Sequence, residues 1–380
     1  MKLYCDIQLP ASKSESNRAL MIAAYGGFAP DFHNLSESND TLLIYRALQT
    51  KLSGVIDIAD CGTAARFLAT YLACHGGDCL LTGTERMRQR PIKPLVDALI
   101  ALGANIQYAD KHGFLPLQIK GKPIVGGKVS IEMTESSQYA SSLLLAAPMF
   151  AQGLELELLG NLSSLPYLDM TLAMMRHFGA EAVREGRTVM VKPKPYQPTS
   201  FTVSADWTAA SYWYEIAAFS ENCEIRLKGL SQCPNLQGDS IIAEWMQQLG
   251  VLTTFEGDAV VLRKTPFEKR PLSFDFSQYP DLYPTMAATC AGLEIEATFT
   301  GLDNLHLKES DRVEAMQTEL AKISDKPDGS PLRFRSHNDH RVVMVLAPLA
   351  IRYGSVSFDH SEVVEKSYPK FWQDAGFLCF

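Results

Sequence analysis

Small and apolar residues recur along this chain in one arrangement. A run rich in Ala, Ser and Leu is followed by a short alternating stretch and then a Gly or Asn turn. The arrangement occurs as SNRALMIAAYGG, GTAARFLATYLACHGGDCLLTG, SSQYASSLLLAAPMFAQGLELELLG, WTAASYWYEIAAFSENCEIRLKG, YPTMAATCAGLEIEATFTG and NDHRVVMVLAPLAIRYGSVSFDH. Such self-similarity marks a repeat architecture. The runs are nearly apolar all round, which predicts helices buried on every side.

A second pattern follows several of these runs: an amphipathic helix ending in Gly, then two alternating strands. It reads LVDALIALGANIQYADKHGFLPLQIKG, TLAMMRHFGAEAVREGRTVMVKP and IIAEWMQQLGVLTTFEGDAVVLRK. Gly103, Gly179 and Gly250 stand where a helix C-cap favours a left-handed residue. Gly186 and Gly257-Asp258 stand where hairpin turns are expected. The repeating unit is therefore β-α-β-α-β-β. The spacings from Arg18 to Arg66 and from Arg312 to Arg341 are too short for a complete second helix and hairpin. The first and fifth units are thus expected to be truncated. Helices enclosed by sheets of mixed sense give an α/β fold, and 380 residues favour two domains of three units each. The Pro-rich stretch KPKPYQPTS, 192–200, is the expected hinge.

Composition narrows the function classes. A net charge of −8 argues against a general binder of nucleic acid or anionic membranes, though local cations can still gather a small anion. Eight cysteines without a C-x-x-C pattern fit reduced thiols in a cytoplasm better than a disulfide framework. The first residues lack the apolar core of a signal peptide, and no apolar run reaches membrane-spanning length. A soluble cytoplasmic protein is the expectation.

The polar residues gather at the starts of the small-residue helices. Lys13, Ser14 and Arg18 open the first, Gly62, Thr63 and Arg66 the second, and Ser136, Ser137 and Gln138 the third. Asp281 precedes the fifth, and Asn338, Asp339, His340 and Arg341 open the sixth. Helix N-termini offer free N–H groups and positive potential, so this set reads as a site for phosphate and carboxylate groups. The run Lys308-Glu309-Ser310-Asp311-Arg312, if helical, sets two cations four residues apart on one face. Like charges at that spacing repel unless an anion lies between them. Simpler explanations compete at each place: Ser12-x-x-Glu15 also fits a capping box, Ser136-Ser137 could merely cap a helix, and Arg86, Arg88 and Arg90 could line a solvated strand. His337-x-x-His340 is half a metal site without a suitably spaced partner, so no metal is expected. The chain has neither G-x-x-x-x-G-K-[ST] nor G-x-G-x-x-G, which disfavours nucleoside triphosphates and dinucleotides.

Together, LPASKSESNRAL, DCGTAAR, LTGTERMRQRPIKPLVDAL, SSQYASSLLLAAP, SLPYLDMTL, YPDLYPTMAAT, NLHLKESDR, NDHRVVM and EKSYPKFW resemble the 5-enolpyruvylshikimate-3-phosphate synthase family. The resemblance runs in order from residue 10 to about 372. It implies a two-domain inside-out α/β barrel of six repeats, with residues 12–203 as one domain and 1–11 plus 204–380 as the other. It also implies transfer of the enolpyruvyl group of phosphoenolpyruvate to the 5-hydroxyl of shikimate 3-phosphate, with release of phosphate. No cofactor, nucleic acid or membrane partner is implied, and a monomer is expected.

Carried over by position, the resemblance assigns Ser14 and Arg18 to the shikimate carboxylate. Ser136, Ser137, Ser164 and Lys308 fall to the 3-phosphate, Gln138 and Tyr167 to the ring, with Asn304 nearby. Lys13, the Gly62 backbone, Arg90, Arg312, Arg341 and Lys366 fall to phosphoenolpyruvate, with Gln138 and Lys13 shared between the substrates. Asp281 binds ring hydroxyls and accepts the 5-hydroxyl proton, while Glu309, or Lys13, protonates the methylene carbon. Closure about the 192–205 segment is expected to complete the site. Cations beside Glu309 favour its ionised form, whereas a proton donor must be protonated when it acts; bound substrate anions would reverse that bias.

Two residues depart from the family pattern: Asp60 stands where many members have Asn, and Phe67 where some have Pro. The small Gly62 implies sensitivity to glyphosate, which resembles phosphoenolpyruvate. The nearest rival is the UDP-N-acetylglucosamine enolpyruvyl transferase, but SKSESNR and NDHR favour shikimate 3-phosphate. A non-catalytic anion-binding scaffold would be expected to lack some of Asp281, Glu309 and the arginines, and all are present.

Overall fold

The computed structural model describes residues 2–50, 52–230, 235–324 and 330–376. The chain forms two compact units: Lys13–Ser36 with Asp40–Val203, and Met1–Ser12 with Glu37–Asn39 and Ser204–Phe380. The excursion of Glu37–Asn39 to the latter was not foreseen; Glu37 pairs there with Lys370 at 3.6 Å.

In the unit dominated by residues 40–203, one sheet runs Gly54–Asp57, Asp78–Thr82, Leu117–Lys120, Asn105–Tyr108. A second runs Gly127–Glu132, Leu154–Leu159, Thr188–Val191, Ala182–Glu185. In both, the first pair is parallel and the others antiparallel. That is the signature of β-α-β followed by a helix and a hairpin. In LELELL, the leucines at 154, 156 and 158 are buried while Glu155 and Glu157 turn outward, as the pleat requires. The third sheet is only Phe32–His33 beside Phe201–Thr202.

The small-residue helices Lys13–Gly26, Gly62–His75 and Gln138–Ala146 pack on one another, buried on most sides. Small side chains permit that approach, and their few hydroxyls pair with each other, as Thr70 does with Ser142 at 2.6 Å.

The other unit repeats the scheme. Lys2–Gln8 pairs with Asn222–Lys228 in parallel, and Ala259–Lys264 and Val251–Glu256 complete that sheet as an antiparallel hairpin. The first strand of the chain thus joins strands more than two hundred residues away. Leu272–Asp275 pairs with Ala297–Thr300, and Leu332–Phe334 with Val356–Phe358, both in parallel. Every residue of the helix Trp207–Phe219 is buried. Asp206 caps that helix, its carboxylate accepting from Thr208 N at 2.8 Å and Ala209 N at 3.1 Å.

Three expectations need correction. The first and fifth units do form their second helices, Asn39–Gln49 and Arg312–Ser324; the hairpin is what they lack among the described residues. Among the described residues the sixth repeat is also two-stranded, so three units there are short rather than two. The Pro-rich stretch is fastened rather than free. Tyr196 is buried and donates to Leu145 O at 2.9 Å, and Gln197 N donates to Phe178 O at 2.9 Å. The change of unit comes after it, at Val203 and Ser204. Among the described residues, no helix is long and apolar enough to cross a membrane.

One core residue is chemically out of place. Glu215 lies fully buried in the helix Trp207–Phe219, and neither carboxyl oxygen has a hydrogen-bond partner among the described residues. Burial pushes its carboxyl well above the usual range, so folding holds it as the neutral acid. An acid whose proton affinity rises on folding costs stability as pH climbs above its unfolded value, about 4.3. Glu215→Met is therefore expected to raise the stability from urea unfolding at pH 7 by about 1–3 kcal/mol, with a smaller gain at pH 4. Equal or lower stability at pH 7 would contradict that assignment.

Candidate active site

The sequence-predicted residues fall into two groups, one in each unit. In the first, Lys13 opens its helix and pairs with the largely buried Asp40 at 2.9 Å. One turn on, Arg18 is buried and makes hydrogen bonds only to neutral groups among the described residues. Nε donates to Thr171 Oγ1 at 2.7 Å, Nη1 to Ser14 O at 3.0 Å, and Nη2 to Tyr167 O at 3.3 Å and Ser141 Oγ at 3.4 Å. Burial lowers its proton affinity to about 10, which leaves it a cation at neutral pH. A buried guanidinium held by neutral groups alone favours a bound carboxylate or phosphate. Phe67, the departure from the family pattern, lies under this group with Arg18 Cζ 5.7 Å from its ring centre.

The second helix start is built around a missing side chain. Gly62 begins the helix Gly62–His75, capped by Cys61, whose sulfur accepts from Ala64 N at 3.3 Å. A Cβ on Gly62 would stand 2.8 Å from both terminal nitrogens of Arg90. The absence of a side chain is thus what lets the Arg90 guanidinium lie against this helix start. Arg66, one turn in, donates to Gly62 O at 3.1 Å and Pro91 O at 2.9 Å. Burial, with a further contribution from the neighbouring Arg90 charge, lowers the proton affinity of Arg66. Two cations this close to free N–H groups mark an anion site.

At the third start, Gln138 Nε2 donates to Thr63 Oγ1 at 3.2 Å, which brings the second and third starts together. Ser136 does act as a cap, accepting from Gln138 N at 3.2 Å. The hydroxyl of Ser137, buried, makes no capping bond. Ser164 precedes the helix Leu165–His177 in the left-handed region at φ 57°, again without capping it. A non-glycine residue held there needs a local reason.

In the other unit the groups converge on Arg312. The run 308–312 is not helical: Lys308 is extended after the short helix Asp303–Leu307, and the next helix begins at Arg312. The turn lets Arg312 point inward to 1% exposure and bind three carboxylates. Nη1 lies 2.9 Å from Asp281 Oδ1, Nη2 2.9 Å from Glu309 Oε2, and Nε 2.8 Å from Asp339 Oδ2. Arg341 Nη2 takes the second oxygen of Asp281 at 2.9 Å, and its Nη1 donates to Tyr212 OH at 3.3 Å. Lys366 Nζ lies 3.7 Å from Glu309 Oε1. Burial by itself would raise the Asp281 carboxyl, but Arg341, Lys308 and Arg312 outweigh it and hold the group well below the usual carboxylate range. Asn304 is buried, and its Oδ1 lacks a hydrogen-bond partner among the described residues.

Asp339 had no assigned role in the sequence reading. It is fully buried, caps its own helix by accepting from Arg341 N at 3.0 Å, and also accepts from Ser310 Oγ at 3.1 Å. An Asp immediately before a helix signals a cap, but its grip on Arg312 depends on tertiary packing. Asp239, also unassigned, is buried next to this cluster; burial and then the Asp281 charge push its carboxyl up to about 7.

A family model described as EPSP synthase (3-phosphoshikimate 1-carboxyvinyltransferase) matches residues 34–375. A 3-phosphoshikimate 1-carboxyvinyltransferase of Bacteroides fragilis is 43% identical, over 99% of this chain and 96% of that one. One of Syntrophobacter fumaroxidans is 33% identical, over 98% and 96% respectively. An EPSP synthase structure from Acinetobacter baumannii superposes with a TM-score of 0.74 at 21% identity, over 99% of this chain and 96% of that one. The mixed α/β fold is therefore that of a known class of enzyme. The chain belongs to the EPSP synthase family.

Gly62→Ala tests the second helix start. The clash is with the flexible end of Arg90, so the fold should survive while the guanidinium is displaced. Calorimetry is expected to show phosphoenolpyruvate binding weakened by about tenfold, the scale of one impaired charge-assisted hydrogen bond. Unchanged affinity would show that the Arg90 position does not matter to the anion.

Proposed function

We propose that this chain transfers the enolpyruvyl group of phosphoenolpyruvate to the 5-hydroxyl of shikimate 3-phosphate, releasing phosphate, on the route to aromatic compounds. Membership of the family supports this, and so does the chemistry of the side chains. The observation that carries it is Asp281, an ionised carboxylate gripped by two buried guanidiniums within a cluster of further cations. Both substrates are multiply anionic, and such cations offset the cost of bringing them together.

The roles are those the family resemblance implies, and charge and surroundings are compatible with them. Arg18, hydrogen-bonded only to neutral groups among the described residues and held beside Ser14, suits the shikimate carboxylate. Ser136, Ser137 and Ser164 at helix starts, with Lys308, suit the 3-phosphate. Gln138, Tyr167 and Asn304 offer polar contacts to the ring. Phosphoenolpyruvate is assigned Lys13, the Gly62 N–H and Arg90, together with Arg312, Arg341 and Lys366; Arg suits planar anions and Lys acts as a movable point charge.

The first step joins the 5-oxygen to C2 of phosphoenolpyruvate. Asp281 takes the hydroxyl proton, and Glu309, or Lys13, gives a proton to the methylene carbon, forming a tetrahedral ketal. Loss of a proton from the new methyl group and departure of phosphate then yield the enol ether. An Asp281 paired with two arginines is a weak base. Anionic groups of phosphoenolpyruvate that draw those guanidiniums away would raise its basicity when it is needed. The same exchange would favour a protonated Glu309, which Arg312 and Lys366 now hold.

A monomer acting in the cytoplasm completes the proposal; a cysteine spacing that fits reduced thiols supports the cytoplasm. Purified protein given both substrates is expected to release phosphate and form a product heavier than shikimate 3-phosphate by one enolpyruvyl group. UDP-N-acetylglucosamine should not substitute, and glyphosate should raise the apparent KM for phosphoenolpyruvate. Asp281→Ala should keep substrate binding while kcat falls by about 10²–10⁴-fold. Folded protein without phosphate release would overturn the proposal, and near-normal turnover of Asp281→Ala would remove that residue as the base.

A further inference from the structure

The loop leading into the helix His340–Leu346 holds two consecutive non-glycine residues in the left-handed region, His337 at φ 52° and Asn338 at φ 53°. L-residues resist that conformation, so it persists only where the surroundings fix it. The surroundings here centre on one fully buried carboxylate, Glu319. Its Oε1 accepts from His337 Nε2 at 2.9 Å, and its Oε2 accepts from Arg335 N at 2.9 Å and from Lys322 Nζ at 2.5 Å. Burial would raise this carboxyl, but Lys322, His337 and the Arg335 N–H outweigh it and keep the group ionised.

The far side of the loop is also tied: Ser336 N donates to Asp359 Oδ1 at 2.7 Å and Asp339 N to Ser336 O at 2.9 Å. Directly after the left-handed pair come Asp339, which grips Arg312, and Arg341, which grips Asp281. Glu319 lies seven residues after Arg312 on the helix Arg312–Ser324, two turns along the same face. One rigid helix therefore carries both Arg312 and the group that holds the loop opposite it.

We propose that Glu319 is a positioning residue for the reaction: through His337 and the Arg335 N–H it sets the left-handed turn that aims Asp339 at Arg312 and Arg341 at Asp281. It touches no reacting atom. Its effect falls on the anion held by Arg312 and Arg341. The substrate named in the test rests on the proposed function.

The test uses Glu319→Gln, His337→Ala and the double variant of the full chain. Each single change is expected to raise the KM for phosphoenolpyruvate by about tenfold, with the KM for shikimate 3-phosphate moving less than about twofold. The double variant should match the worse single variant, because the two residues act through one contact. A purely structural role would lower the melting temperature and leave the ratio of the two KM values unchanged, which would overturn the proposal, as would multiplicative effects in the double variant. If Glu319→Gln fails to fold, His337→Ala, on a partly exposed side chain, carries the same comparison. If the wild type shows no turnover, the proposed function fails separately. Calorimetric binding of phosphoenolpyruvate then decides this proposal: about tenfold weakening in the variants supports it, and equal affinity overturns it.

Discussion

A buried guanidinium compensated by three carboxylates organises the second unit. Arg312 is almost wholly removed from water, and a charge in that position is tolerated only when its hydrogen bonds are made and its charge is matched. Asp281, Glu309 and Asp339 do this from three separate segments of the chain. Each of those segments also leads to another member of the site. Asp281 holds Arg341, Glu309 holds Lys366, and Asp339 caps the helix that carries Arg341. Burying one cation therefore fixes several site groups at once.

The first unit meets the same electrostatic problem differently. Arg18 is buried against hydroxyls and carbonyls, and Arg90 lies in the space left by Gly62. Its Arg18 relies on neutral acceptors, while Lys13 pairs with the largely buried Asp40. In the second unit, carboxylates already neutralise the cations. On the proposed function, anion binding there would exchange one set of negative groups for another, which would connect binding to the basicity of Asp281.

Much of this was legible in the sequence because it rests on local rules. The all-apolar character of WTAASYWYEIAAF announces a helix buried on every side, and it is one. Gly103, Gly179 and Gly250 adopt the left-handed φ that helix ends require. The clustering of Lys, Arg and Ser at helix starts pointed to candidate site residues, and the family resemblance supplied their proposed assignments. What stayed hidden depends on contacts between distant segments. Whether the run 308–312 is helical is open in the sequence; in the fold Lys308 is extended, the helix begins at Arg312, and Arg312 turns inward to three carboxylates. KPKPYQPTS reads as a hinge, and its anchoring through buried Tyr196 is something no local pattern reveals. Nothing in the sequence singles out Glu319, and only the fold shows His337 and Arg335 brought against it.

The central claim is that the Asp281 carboxylate changes partners when the anionic substrate arrives. The most direct measurement is a pH titration of the Asp281 carboxyl carbon by ¹³C NMR, in the free protein and with saturating phosphoenolpyruvate. Free protein should show a group that stays ionised to below the usual carboxylate range, and bound phosphoenolpyruvate should move its titration to higher pH. A carboxyl that titrates identically in both, with phosphoenolpyruvate demonstrably bound, would contradict the account.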